Sequence, residues 1–400
     1  QLLSVTDSKS NQTTLEYDIL NRLKKLTDPL NSAIAIDYDA NDNPVQIISP
    51  TGQHMGYSYD ASNRWVIATN TDNHSNTRQY DEAGNLVSMQ NAMGEQIRYT
   101  YDALNRLKTI TNNNGETITA SHDANGNVTM VNLPNGAAIR YAYDALNRLV
   151  SVMDDYGSLN QYTYDANGNI TSVTNGAGAT TTANYDSLNR LQQVTDPLGN
   201  SMRITYDAAN RMTSLTDKNG NTTHYTYDGL NRVLTVTDAE GATITLAYDT
   251  ESNITGITDQ NGNTTQYTYD ALKRLTRITY ANGKYMAYTY NNENLITQAR
   301  LTDGSYVQYS YDQLNRLTAK TLPDGQVHTY TYDAQGRVLT ASNQAGTVSF
   351  TYDNLGRISS ESFNGRTVSY QYSITGRNAT TIYPNGTEVR MNYDTRNRLV

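Results

Sequence analysis

The chain has 400 residues, and only 37% of them are apolar with Tyr included, below the ~45–50% usual in globular domains. Net charge is −9 with a sequence pI of about 5.1 and no Lys/Arg run, which excludes a nucleic-acid footprint and binding to anionic lipid. Cys is absent, which excludes disulfides, thiolate metal sites and thiol nucleophiles.

A compact globule of this length buries roughly three-quarters of its unfolded surface. Mean hydropathy of −0.67 leaves too little aliphatic material for such a core. The 33 Tyr and abundant Val, Ile and Thr nevertheless favour strands over disorder. Ordered structure in thin layers is the remaining option. No segment approaches the ~18 apolar residues of a membrane-spanning helix, and no signal peptide opens the chain.

Taken in chain order, Gln1 opens inside a strand-like segment, and the first full phrase is Tyr17-Asp18. The Tyr then returns at Tyr38, Tyr59, Tyr80, Tyr101, Tyr143, Tyr164, Tyr185, Tyr206, Tyr227, Tyr248, Tyr269, Tyr290, Tyr311, Tyr332, Tyr352, Tyr372 and Tyr393, with His122 in the one vacant slot. These 19 anchors define 18 intervals, of which 16 are 21 residues and two, ending at Tyr352 and Tyr372, are 20. Val400 stops part-way through another unit. Residues 1–400 therefore read as one repeat array with partial units at both ends, a piece of a longer series.

Each unit carries two turn signals. Asp follows the anchor in 17 of 19 units, and Asn or Gly stands four after it in 16 of 19, with Asp42, Ser252 and Lys273 as exceptions. An Asx-turn closed by a residue with positive φ is the expected geometry. Ten residues further on (nine once, at Gly365), Gly stands in 16 of 18 intervals and Asn in two, Asn31 and Asn73. Between the turns lie two segments of strand length, as in Tyr225-Thr226-Tyr227, whose period of two puts both rings on one face. The return segment places apolar residues three apart, as Leu107 and Ile110, which predicts a bulge there or one residue on each face.

The predicted fold class is all-β: about 19 tandem β-hairpins in a curved, spiralling sheet wall. Strands ~4.8 Å apart make a ribbon on the order of 180 Å long, too long to stay flat. Tyr rings alternating with Leu, Val or Ile predict that each unit packs on the next. Asp102 and Arg106, and Asp144 and Arg148, are placed to pair across the first turn. Arg recurs five after the anchor with a 42-residue rhythm, as Arg106 and Arg148 alternating with Asn127 and Asn169. That rhythm either records duplication of a paired unit or marks two alternating environments along one rim, and the same surroundings for Arg106 and Asn127 would remove the second reading.

Little in the sequence points to chemistry. His54, His74, His122, His224 and His328 are scattered, and Asp154-Asp155 is an acidic doublet in a loop. The DKNGN stretch (Asp217–Asn221) and DQNGN (Asp259–Asn263) have Gly fourth and no terminal Glu, so they read as turns and not calcium loops. Sequons at Asn127, Asn169 and Asn253 follow from turn Asn preceding strand Thr. No catalytic, cofactor or metal residue is expected. The Tyr rows read as wall packing, with a sugar- or protein-binding face as the alternative.

These units, of the type GxxxxYxYDxxGRLxxxxxPxG, resemble the YD repeats of bacterial Rhs toxins. Similar repeats occur in the C components of insecticidal toxin complexes and in teneurins. The resemblance runs from Tyr17 to Leu399. It implies a hollow β-shell that encloses the polypeptide's own C-terminal toxin, secreted or at the cell surface of a bacterium. It further implies other parts of the same shell as partners, with secretion-system or cell-surface components, and neither nucleic acid nor membrane insertion. The family's terminal DPxGL-like motif is not matched, since DPL at Asp28–Leu30 and DPLG at Asp196–Gly199 are ordinary second turns. A cell-surface adhesion or carbohydrate-binding array is the alternative reading.

Overall fold

A computed structural model describes residues 1–353, 355–372 and 378–391. Two compact units are distinguished: Gln1–Thr117 together with Tyr267–Val400, and Ile118–Gln266. The described residues contain no helix and form 38 strands, most of five or six residues. Every ladder described is antiparallel and joins strands that follow one another in the chain, in the first unit and in the second. The expected tandem hairpins are what the sequence builds.

One repeat shows why. The anchor strand Thr222–Tyr227 runs into a turn at Asp228, and the return strand Val233–Thr237 runs into a second turn at Asp238. Asp228 Oδ1 accepts the N–H groups of Leu230 and Arg232 at 2.9 and 3.0 Å, the Asx-turn read from the sequence. The Asn231 N–H reaches the Asp228 carbonyl at 3.1 Å, with Asn231 at φ 63°. The second turn repeats the design, with Asp238 Oδ1 accepting from Glu240 and Ala242 and Gly241 at φ 84°. Asp42, Ser252 and Lys273 also hold positive φ, at 67°, 65° and 61°. The turn therefore dictates the backbone even where its preferred residue is missing.

The predicted bulge is present. Thr100 faces Thr109 while Tyr101 faces Leu107, so Lys108 is the extra residue. That insertion returns Leu107 and Ile110 to one face, opposite Tyr101 and Tyr99. Each repeat thus has an aromatic–aliphatic face. Alternate residues face the other way as threonine and serine pairs: Thr226 with Thr235, Thr237 with Thr243 at 2.8 Å, Thr258 with Thr264 at 2.9 Å.

The layers are thin. Among the described residues the buried apolar side chains are Ala68, Ala138, Ala299 and Val307, and no large side chain is fully buried. The accessible surface is 23244 Å², where a compact monomer of this mass exposes roughly 15,500 Å². Stability must come from many half-buried contacts between neighbours, the regime of repeat proteins.

Candidate functional site

The first-turn rim carries a repeated three-residue clip. Arg232 Nε donates to Asp228 Oδ2 at 2.7 Å, and its guanidinium lies 4.4 Å from the ring centroid of Tyr248 in the next repeat. The same arginine donates to the Asp249 carbonyl at 3.0 Å. Arg190 over Tyr206, Arg274 over Tyr290 and Arg316 over Tyr332 repeat the arrangement at 4.5, 4.6 and 4.9 Å. Asp102 shows the electrostatic result. The Arg106 backbone N–H, then its guanidinium, overcome the opposing effect of burial and hold the carboxyl at about 2.

The anchor hydroxyls make a second link. Tyr227 donates to the Met212 carbonyl at 2.6 Å, fifteen residues back at the start of the preceding return strand. Tyr17, Tyr38, Tyr59, Tyr80, Tyr101, Tyr143, Tyr164, Tyr185, Tyr206, Tyr248, Tyr290 and Tyr311 do the same at that spacing. Tyr332 reaches Leu317, and in the 20-residue units Tyr352 and Tyr372 reach fourteen residues back. Tyr269 ends its strand in the same way, Thr264–Tyr269. Tyr393 lies outside the described residues.

The expectation of two alternating environments is corrected here. Asn127 Nδ2 donates to Asp123 Oδ2 at 2.9 Å, as Arg106 Nε donates to Asp102 Oδ2 at 2.7 Å. Asn127 also reaches Asn147 of the next turn at 2.9 Å, the link that Arg190 makes to Asn210 at 2.8 Å. Both residue types place an N–H donor between their own Asp and the next turn, so one environment accepts either.

Within the first unit, opposite rims meet. The second turn at Thr51–Gln53 lies against the first turns at Asn291–Glu293 and Asp312–Asn315, enclosing a cleft of about 600 Å³. Glu293 Oε1 accepts the backbone N–H of Thr51 at 3.1 Å and also its hydroxyl, 242 residues away in sequence. Burial pushes the Glu293 carboxyl up, but hydrogen bonds from Thr51 and Ser49 outweigh it and hold it below its usual range. Gln53 Nε2 donates to Asn315 Oδ1 at 3.0 Å, and Arg337 lies 2.8 Å from Met93 Sδ and 4.0 Å from Glu95. This seam joins segments that no local pattern links.

Known proteins can now be set beside this geometry. The teneurin YD-shell family description matches residues 7–139, 199–331 and 329–400, most of the chain. The chain belongs to the teneurin YD-shell family. The RHS repeat description matches residues 122–158 and 164–201 within the YD-shell array. No curated protein matches it in sequence. Among solved structures, the TcdB2-TccC3-TEV crystal structure has a TM-score of 0.62 at 16% identity, covering 97% of this chain and 26% of that one. TcdB2-TccC3 without its hypervariable C-terminal region scores 0.60 at 15% identity, with the same two coverages of 97% and 26%. The pore of the Photorhabdus luminescens Tc holotoxin scores 0.61 at 14%, again covering 97% and 26%. The YD-shell fold is shared with these toxin complexes, and the chain spans about a quarter of their length.

The remaining sequence candidates fall into structural places in the YD-shell repeats. Asp155 pairs with Arg140 at 3.0 Å and accepts the Ala138 N–H at 2.9 Å. Asp217 and Asp259 cap their own turns through Asn219 and Asn261. His122 ends its strand facing Val128. No group of three metal-ligating side chains and no helix able to cross a membrane occurs among the described residues.

Proposed function

We propose that the chain is a non-catalytic wall segment of a hollow YD-repeat shell, with residues 1–400 forming one continuous array. That shell encloses and helps deliver a C-terminal effector lying outside this chain. The supporting observation is the YD-shell match over most of the sequence, joined to a wall whose Asp, Arg and Tyr side chains are engaged in turn-to-turn links. The anchors Tyr17 through Tyr393 are the wall's repeat-to-repeat fasteners in this reading. The Tc relatives supply the effector side of the proposal, since one of them is described by the removal of a hypervariable C-terminal region. The protein is secreted or held at a bacterial cell surface, with other parts of the shell and secretion-system or surface components as its partners.

The test is native proteolysis of the full-length protein followed by mass spectrometry. A C-terminal piece that is cut free yet co-elutes with the repeats supports a container. A C-terminal region digested as fast as in denaturant overturns it.

A further inference from the structure

The threonine ladder of the hydroxyl face is interrupted across strands Leu275–Thr279, Tyr285–Tyr290, Ile296–Arg300 and Tyr306–Tyr311. Register places Arg277, Ala287, Arg300 and Tyr306 in one row across those strands, with Tyr285 beside Thr279 two residues along. One or two repeats earlier the same positions hold Gly256, Thr258 and Thr264.

The guanidinium carbons of Arg277 and Arg300 lie 3.7 and 3.8 Å from the centroid of the Tyr285 ring. Two cations that close on one side would overlap, so they stand on opposite faces, at most about 7.5 Å apart. The small side chain of Ala287 between them leaves the row open. Neither arginine forms an ion pair among the described residues, whereas Arg274 and Arg316 on the rim each hold an Asp at 2.7 Å. Arg277 donates Nε to Thr279 Oγ1 at 3.1 Å, and Arg300 donates one amino group to the Tyr285 and Leu301 carbonyls at 2.9 and 3.2 Å. The nearby carboxylate of Asp303 is engaged by the N–H and hydroxyl of Ser305. Two like charges are therefore held together by the sheet with N–H groups left over and no carboxylate in ion-pair contact, since Asp303 acts on Arg300 only from beyond that distance. Tyr306, 47% exposed, offers a flat ring next to Arg300.

We propose that this patch binds a sulfated oligosaccharide, with sulfate groups on Arg277 and Arg300 and a sugar ring on Tyr306. Planar guanidinium groups match sulfate oxygens two at a time, and an aromatic face suits the C–H face of a sugar. Hydroxyls of the flanking threonine pairs suit sugar hydroxyls. A long nucleic acid is disfavoured by the net charge of −9. An acidic peptide adding as a strand is disfavoured because these strands are already paired on both sides. The inference does not rest on the shell reading.

The experiment titrates the whole chain with a heparin-derived hexasaccharide, its desulfated counterpart and a poly-glutamate peptide. Saturable binding of the sulfated sugar alone is expected, weakened at least about tenfold by Arg277→Ala with Arg300→Ala and about threefold by Tyr306→Ala. Arg203→Ala, at an exposed site in the row of its own repeat that matches Ala287, leaves affinity within about twofold. Arg277→Lys keeps charge without the planar fork and weakens binding, which separates recognition from a folding defect. Absence of saturable binding, equal weakening by Arg203→Ala, or preference for the peptide or the desulfated sugar overturns the proposal.

Discussion

The hydroxyl of Tyr227 donates to the carbonyl of Met212 across 2.6 Å, from one repeat to the one before. Met212 stands where the ladder skips a residue, since Tyr206 faces Met212 while Thr205 faces Ser214. The bulge that aligns the apolar face thus leaves a carbonyl beside it, and the next anchor supplies the donor. Tyr227→Phe removes only the hydroxyl, and a loss of about 0.5–1.5 kcal/mol is expected. Urea denaturation reads it as a lower midpoint at constant slope. An unchanged midpoint would show that the carbonyl is equally well served by water.

Arg211 and its Asn counterparts make a comparison possible within one array. Arg211 reaches Asp207 at 2.7 Å and Asn231 at 2.9 Å, while Asn169 reaches Asp165 and Asn189, each at 2.9 Å. Arg211→Asn therefore keeps both links and loses the stack over Tyr227 and the 3.5 Å bond to the Asp228 carbonyl. Arg211→Ala loses all four contacts, and its melting temperature should fall by about 1–3 °C, with the Asn variant losing less than half as much. Equal losses would mean that the stack and the Asp228 contact, and not the two links that Asn keeps, carry the junction.

Acid should loosen the rim in a defined window. Asp102 is held from a usual 3.8 down to about 2, first by the Arg106 N–H, and Asp60, Asp144 and Asp228 are lowered in the same direction. A depressed folded-state value means that the unfolded chain binds protons first, so the contribution is complete above about pH 5 and disappears as pH falls through 4 toward 2. Urea midpoints at pH 6, 5, 4, 3 and 2 should be flat between the first two, begin to fall by pH 4 and fall steeply after. A fall centred above pH 4 would point to other groups.

Two glycines separate backbone need from space. Gly241 closes a second turn at φ 84° with nothing within 4 Å of the place a Cβ would take, so Gly241→Ala meets only backbone strain of about 1–2 kcal/mol. Gly256 lies in strand Ile254–Thr258, and its added Cβ would meet Ala247 Cβ at an ordinary 3.6 Å. Gly256→Ala should be neutral or stabilising by about 0.5 kcal/mol. Comparison of the two denaturation midpoints decides the point, and a Gly256→Ala loss as large as that of Gly241→Ala would contradict it.

What the sequence made legible was local. Asn105 at positive φ, the Asp102 cap, and the bulge implied by Leu107 and Ile110 all follow from spacing within one unit. Links between units were less legible. The Tyr227 partner is a backbone carbonyl, which leaves no residue-type signal at position 212. The Arg and Asn rhythm suggested two environments because side-chain size changes while donor geometry does not. The Thr226–Thr235 pairing was present in the alternation but looked like mere strand propensity. The seam was invisible, since Thr51 and Glu293 are 242 residues apart and neither breaks its repeat's pattern.

That seam gives the last test. The Thr51 N–H has Glu293 as its acceptor, while its turn is otherwise closed by Gly52 and Gln53. In the turn at Asp196, the matching N–H of Leu198 is held instead by its own Asp at 2.9 Å. Hydrogen exchange at Thr51 therefore reports contact between two distant rims, and exchange at Leu198 reports an ordinary turn. Glu293→Ala should speed exchange at Thr51 at least about tenfold and leave Leu198 unchanged, because only the first loses its acceptor. Glu293→Gln, which keeps shape and a carbonyl oxygen but not the charge, should fall between. Because the carboxyl is held below its usual range, wild-type protection at Thr51 should persist at pH 5. Thr51 exchanging as freely in the wild type as in Glu293→Ala would mean that the rims do not meet in solution, and that the first unit holds together through its ladders alone.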